Sequence, residues 1–469
     1  MAQFIIWNSY DFSKHTTVRP LGPHQLACWL NQNGYTVKVI DYCSLMTPME
    51  IASVTAHFIG PETVAIGVSN TFWDEDPMKN TEPEWVLHAR AFIERRYPNL
   101  DWVLGGSRNS FLVMNLKQQW IKITGYAEDQ ILKYLDSKTN KLALRKPFDI
   151  QNNPGHFLDD LHIQPSEVLP IELSRGCQFK CKFCRFGELG KKKNTYIRDY
   201  KLIESELLEN YERFGVTRYM MMDDTCNESI EKITALAEIA QRLPFKLEWM
   251  GYVRLDLIGS NPDTAQILLD SGLKACFFGV ESYHPKASKA IGKGWNGAKG
   301  KEFLLELKNN IWNNQVHIHT NLIAGLPGEP VESLEETQQW CIDNEIPSWF
   351  WTALSISRAP TQLWKSEFDL EYEKYGYRFT DVDDPYFWTN DMWDYNQARA
   401  KVAELNEESL KYVRINPWHA AMVAGMGYEF DDIVKLSHSE LDYHTMFARA
   451  QERVRDYIAY QKSIGNAPR

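Results

Sequence analysis

No stretch of this 469-residue chain approaches the roughly 18 continuous apolar residues that a membrane-spanning helix needs. The first residues, MAQFIIWNSYDFSKH, lack both a basic start and a long apolar run, so no secretory leader is expected. Excess positive charge is also missing: 51 Lys and Arg face 62 Asp and Glu, a net charge of −11. Bulk attraction to nucleic acid is thereby disfavoured, although a local basic groove is not. There is no internal repeat and no low-complexity tract. The cysteines are not spread in pairs as a disulfide framework would be. Cys28, Cys43, Cys226, Cys276 and Cys341 are scattered, and none follows Cys341. These absences lead to the expectation of a cytoplasmic protein in a reducing compartment. Its length allows a sizeable core without covalent staples.

What is present is alternation. FIIW (4–7), YTVKVID, VAIGVSN, DWVLGGS and WIKIT read as short buried strands. Between them lie stretches with apolar residues at helical spacing, the first of which ends on Gly34. Strands alternating with helices predict an α/β fold, here an open parallel, Rossmann-like sheet over 1–140. Small polar residues follow three of its strands: Ser69-Asn70-Thr71, Gly105-Gly106-Ser107 and Gly125-Tyr126. Carboxyl ends of parallel strands form the ligand crevice of such sheets, and glycine there admits a ligand close to the backbone. Ordinary tight turns are the alternative at any one of them.

Residues 141–165 mix charge, Pro and Gly with little periodicity and read as a linker. From 166 to 350 the alternation resumes through LPIELSRG, TRYMMMDD, KLEWMGYV, KACFFGVES and VHIHTNLIAGL. Successive β–α units of this length predict a partial (β/α) barrel of the TIM type, with function at the carboxyl ends of its strands. From 351 to 469 the texture is aromatic-rich and then mainly helical, and Trp349, Trp351, Trp364, Trp388 and Trp393 are suited to packing or to lining a pocket.

The sharpest signal is Cys177-Gln-Phe-Lys-Cys181-Lys-Phe-Cys184, directly after LPIELSRG. Thiolates are soft ligands for iron–sulfur clusters and zinc. A structural zinc is normally closed by four protein ligands. No fourth cysteine is near, and the nearest histidines in sequence are His162 and His284. Three ligands suit a four-iron cluster with one iron left open. A zinc-stabilised binding protein, closed at long range, is the alternative outside enzymes.

CxxxCxxC after a strand, within β–α repeats, resembles the radical S-adenosylmethionine (SAM) superfamily. The resemblance implies that Cys177, Cys181 and Cys184 hold a [4Fe–4S] cluster. SAM would chelate its open iron, and reductive cleavage would yield a 5′-deoxyadenosyl radical. By the same resemblance Phe183 packs near adenine, and Asp223 and Asp224 stand where an acceptor meets the methionine ammonium. Arg254 points toward the carboxylate. Glu281, with Ser282 beside it, binds the ribose hydroxyls, and Gly325 in IAGLPGE lies near adenine. An external one-electron reductant, flavodoxin- or ferredoxin-like, is also implied, together with a substrate that no motif identifies.

The α/β domain upstream of the barrel looks like that of the cobalamin-binding subgroup, whose corrin rests on strand-end loops. Here those would be Ser69, Asn70, Thr71, Gly105, Gly106, Ser107, Gly125 and Tyr126. The Asp-x-His-x-x-Gly motif that brings histidine to cobalt elsewhere is absent, and Asp41-Tyr-Cys-Ser-Leu-Met stands in the nearest place. The expected activity is therefore methyl transfer to an unactivated carbon with cobalamin. Cobalamin-free rearrangement, oxidation or cyclisation is the alternative, with a first domain that holds no corrin. With only Cys28 and Cys43 upstream of the triad and none after Cys341, a single cluster is expected. Lys191-Lys192-Lys193 reads as a solvated face or an anion-docking site.

Overall fold

The structure is a computed structural model that describes residues 1–73, 81–111, 115–141, 146–186, 189–192, 195–293, 297–359, 362–381 and 384–465. Five parallel strands form the first sheet: β1 (Phe4–Trp7), β2 (Val37–Ile40), β3 (Ala65–Ser69), β4 (Asp101–Gly105) and β5 (Ile121–Lys122). Their order is β2-β1-β3-β4-β5. β1 and β2 are buried along their whole length, as strands covered on both faces must be. The chain leaves β1 in one direction to reach β2 and crosses back to reach β3. The crevice of such a sheet opens beyond the strand ends at that reversal. Helices Leu21–Gln32, Pro48–Phe58 and Glu84–Arg96 connect the strands. Thr47 starts the second of these with a reciprocal capping box to Glu50.

Six parallel strands follow in sequential order: β6 (Val168–Ile171), β7 (Arg218–Met221), β8 (Glu248–Val253), β9 (Leu273–Glu281), β10 (His317–Ala324) and β11 (Ser348–Ala353). β6 and β11 do not pair, so the barrel is open. β11 is an addition to the predicted strands, and the boundary expected at 350 falls inside it. Its sequence, SWFWTA, runs aromatic without alternation and so reads as a change of texture rather than as a strand.

The region after 353 is shared among the other parts. Helix Pro417–Ala424 plugs the barrel lumen, where Ala420, Ala421 and Val423 pack on Met220, Met250 and Ala275. The last helix, Tyr443–Gly465, returns to the first sheet, with Val454, Tyr457 and Ile458 packed among Ile40, Tyr42 and Val54. The segment read as a linker is also packed, with Phe157, Leu161 and Ile163 buried in the main core. Among the described residues no helix is long and apolar enough to cross a membrane.

A buried ionic clamp ties these parts together. Arg19 donates from Nε to Glu167 Oε2 at 2.7 Å and from Nη1 to Asp41 Oδ2 at 2.5 Å. Its guanidinium lies 4.7 Å from the Tyr42 ring centre and 5.6 Å from that of Tyr457. His24 Nε2 and Asn8 Nδ2 complete the shell of Asp41 at 3.0 and 2.8 Å. Burial alone would raise the Asp41 carboxyl, but His24 and Arg19 outweigh it and hold the group below the ordinary carboxylate range. Its stabilisation is therefore present above that range and lost as pH falls through the lowered value. Removing one partner leaves an uncompensated buried charge, at a cost of about 3–5 kcal/mol. Arg19→Met is expected to lower the unfolding free energy by that order, read as a lower urea midpoint. A midpoint equal to wild type would show the clamp to be dispensable.

Candidate active site and a second cavity

The chain leaves β6 through Glu172, Leu173 and Ser174 into the cysteine loop. That exit is locked by a buried polar network. Asp223, just past β7, accepts from Leu173 N at 2.7 Å and from Ser174 Oγ at 2.6 Å. Lys232 bonds Asp223 from the next helix and reaches Ser174 Oγ at 2.8 Å and Glu228 Oε1 at 2.9 Å. Beyond it, backbone bonds shape the loop: Lys191 N to Cys177 O at 3.1 Å, Cys184 N to Cys181 O at 3.0 Å, and Lys182 N to Ile291 O at 3.0 Å. Gly176, at φ +113°, takes the left-handed turn into Cys177.

Cys177, Cys181 and Cys184 all line one cavity of about 440 Å³ at the mouth of the barrel. Burial pushes the Cys184 thiol up to about 12, and Cys181, Asp224 and Cys177 add to the rise. Three thiolates facing one another and an aspartate need a cationic centre among them. Arg254 supplies a partial answer, with Nη1 3.6 Å from Cys181 Sγ. Among the described residues no three His, Cys, Asp or Glu side chains converge on a single ion. Three cysteines lining one cavity suit a cubane, in which each cysteine would hold a different iron.

Of the residues singled out in sequence, Phe183, Asp224, Arg254 and Glu281 line this cavity. Burial raises the Asp224 carboxyl to about 7, with Asp223 and Glu172 adding repulsion. Glu281 ends β9 at φ +66°, a left-handed conformation unusual for glutamate, and its Oε1 meets Lys293 Nζ at 2.9 Å. Arg254 is held by Asp256 in a two-pronged pair, at 3.0 and 2.5 Å, and lies 4.1 Å from the Phe179 ring centre.

Three expected cofactor residues do not reach the cavity. Asp223 is consumed by the Lys232 network. Ser282 turns away to donate to Glu329 Oε1 at 2.6 Å. Gly325, at φ +92°, lies under Trp388, where a Cβ would come within 2.6 Å of the indole. Among the lining residues that sequence reading missed are Tyr252, Phe277, Asn321 and Thr352. Each takes the lumen face of its strand, a period-of-two signal that continues from Arg254, Glu281 and Ile323. Cys226 and Cys276 are buried core residues, as expected. Of the lysine run, Lys193 lies outside the described residues.

A second cavity, of about 290 Å³, opens at the strand ends of the first sheet. Ser69, Thr71, Gly105, Gly106, Ser107, Gly125 and Tyr126 line it as the sequence predicted. Asn70 does not; it is fully buried and donates from Nδ2 to Asn109 Oδ1 at 2.8 Å. A Cβ placed on Gly22 or Gly105 would meet no atom within 4 Å, so the missing side chains widen the space. Among the described residues no histidine lines it.

The far wall comes from the barrel, and its centre is Arg175. That guanidinium bonds Glu128 at 2.6 Å, Glu172 at 2.9 Å and Gln25 at 2.6 Å, and lies 4.8 Å from the Tyr126 ring centre. Its burial among these acids was invisible in sequence, because the partners are 3 to 150 positions away.

Comparison with known proteins places this architecture. Residues 171–341 match the Radical SAM superfamily. The chain is 25% identical over 183 residues to bacteriochlorophyllide d C-12(1)-methyltransferase of Chlorobaculum tepidum, covering 39% of each protein. It is 25% identical over 199 residues to hopanoid C-3 methylase of Methylococcus capsulatus, covering 42% of this chain and 36% of that one. The matches thus span well under two thirds of those relatives. The fold is similar to that of the radical SAM methyltransferase TsrM from Kitasatospora setae, solved with cobalamin and a [4Fe–4S] cluster. That likeness has a TM-score of 0.63 at 12% identity, over 97% of this chain and all of that one. The cobalamin-dependent radical enzyme OxsB, solved with aqua-cobalamin, gives a TM-score of 0.56 at 12% identity over 99% of this chain and 79% of that one. With its cysteine triad at the mouth of an open six-stranded barrel, the chain carries a Radical SAM superfamily domain over residues 171–341.

Proposed function

We infer that this enzyme cleaves SAM reductively at a cluster held by Cys177, Cys181 and Cys184, and uses cobalamin seated in the first-domain cavity to methylate a carbon of its substrate. The carrying observation is that two barrel strands each serve both cavities. After β6, Glu172 and Arg175 line the first-domain cavity and Cys177 lines the barrel cavity. After β7, Met222 lines the first and Asp224 the second. The two sites are therefore two residues apart along the same strand ends. The names and bound groups of the similar proteins support the same reading.

Cys177, Cys181 and Cys184 would hold a cluster whose reduced form would supply an electron for SAM cleavage, and the first-domain cavity would hold a corrin that would supply methyl-transfer chemistry. The chain's own residues bind and orient. Asp224, when ionised, is an acceptor for the methionine ammonium, and Glu281 is an acceptor for the ribose diol. Phe183, Phe277 and Ile323 keep the cavity wall apolar and limit water. Arg175 holds Glu128 and Gln25 of the first domain while its backbone leads into the cysteine loop, so it fixes the distance between the two sites.

Cys181→Ser, purified without oxygen, is expected to lose most of its iron and all deoxyadenosine formation. Deoxyadenosine at the wild-type rate would remove the triad from the chemistry. Gly105→Leu places a side chain in open cavity without a positive φ to strain it. That variant is expected to keep the iron content of wild type and to lose corrin absorbance after reconstitution with hydroxocobalamin and desalting. Full corrin retention would move cobalamin out of this cavity, and absence of corrin from wild type would favour the cobalamin-free reading.

A further inference from the structure

Charge is spread unevenly over this chain, and neither cavity accounts for the pattern. The net charge is −11, yet the segments beside the cysteine triad are basic. Residues 176–192 carry Lys180, Lys182, Arg185, Lys191 and Lys192 against one acid, Glu188, which lies outside the described residues. The turn and short helix after β9, residues 284–293, carry Lys286, Lys289 and Lys293 and no acid. The two segments touch. Lys182 N donates to Ile291 O at 3.0 Å, and a Cβ on Gly292 would meet Lys182 Cγ at 3.7 Å.

These cations fall into two sets. Lys182, Arg185 and Lys293 are half-buried and paired, with Glu367, Asp369 and Glu281. Lys180, Lys192, Lys286 and Lys289 are exposed, and among the described residues none of them has an acidic partner. The Lys180 stem lies across Gly190, where it leaves no room for a Cβ, and its ammonium stays in water. None of the four lines the barrel cavity, so they do not serve a ligand held inside it. Phe186, which does line that cavity, is also 59% exposed. Cys181 and Cys184 are themselves only half-buried. A large exposed aromatic in a segment that carries unpaired lysines has the make-up of an interface with an apolar centre and a charged rim.

We propose that these two adjoining segments are the docking surface for an acidic one-electron carrier protein. The inference rests on the function proposed above, in which a cluster on Cys177, Cys181 and Cys184 is reduced from outside before SAM is cleaved. One electron leaves the carrier and one enters the cluster, and no bond forms between the proteins. Charge selects the face. An acidic protein is repelled by the rest of a chain of net charge −11 and is admitted where unpaired lysines accompany partly exposed cysteines. A small patch suffices, because a redox partner must also leave.

The test follows deoxyadenosine formation by the full reconstituted chain with SAM. The electron source is either reduced flavodoxin, an acidic carrier, or reduced methyl viologen, a small cation. With flavodoxin the wild-type rate is expected to fall several-fold between about 0.05 M and about 0.5 M salt. The triple variant Lys192→Glu, Lys286→Glu, Lys289→Glu is expected to lose about tenfold of the flavodoxin-driven rate. It is expected to keep the iron content and the methyl viologen-driven rate of wild type. If charge reversal lowers the iron content, the corresponding glutamine triple decides, with a smaller loss confined to flavodoxin. A flavodoxin-driven rate that is absent from wild type, independent of salt or unchanged in the variants overturns the docking surface alone. So does an equal loss with both reductants at full iron content. No deoxyadenosine from wild type with methyl viologen overturns the radical reading, and this surface falls with it.

Discussion

Three thiols and a carboxyl crowd one half-buried loop, and they cannot all be anionic there unless a cation sits among them. That electrostatic constraint organises the barrel mouth. Burial raises the Cys177 and Cys184 thiols, and Asp224 is pushed to about 7 by the same surroundings. The protein does not relieve the crowding with a lysine at its centre. The nearby cations are committed elsewhere: Lys232 to Asp223 and Glu228, Arg254 chiefly to Asp256, and Lys293 to Glu281. The loop is thus built to be neutralised by something it binds, and a three-cysteine iron–sulfur cluster is the group that the donor set fits.

The second constraint is geometric. Parallel strands end on one side, and their residues alternate between faces. Placing the first sheet's strand ends against the exit of β6 and β7 makes one pair of strand ends serve two cavities. The parts that hold this arrangement are costly and buried: the Arg19–Asp41–Glu167 clamp and the Asp223–Lys232–Glu228 lock. Arg175 spans the seam between them. Small displacements there would change the separation of the two cavities.

Much of this was legible in the sequence because the signals are local. The short apolar runs with helical spacers predicted both sheets, and FIIW, VKVI and AIGVS lie where expected. The cysteine spacing and the glycine-bearing strand ends located both cavities. What failed depended on direction or distance. Asp223 and Asp224 look alike in sequence, but adjacent residues at a strand end point to opposite sides, so one faces Lys232 and the other the cavity. Ser282 sits beside the lining residue Glu281 for the same reason, whereas Gly325 is covered by Trp388. β11 was hidden by aromatic density, and the helix Pro417–Ala424 gave no hint that it enters a barrel. Arg175 acquires meaning only from partners across the fold.

A cluster held by three cysteines would keep one iron free for SAM. Mössbauer spectroscopy of the oxygen-protected chain, reconstituted with iron-57, tests it most directly. Adding SAM should make one iron of the four distinct from the other three, with the change lost when SAM is removed. Four irons unaltered by saturating SAM, or a protein that takes up zinc and no cluster, would contradict it.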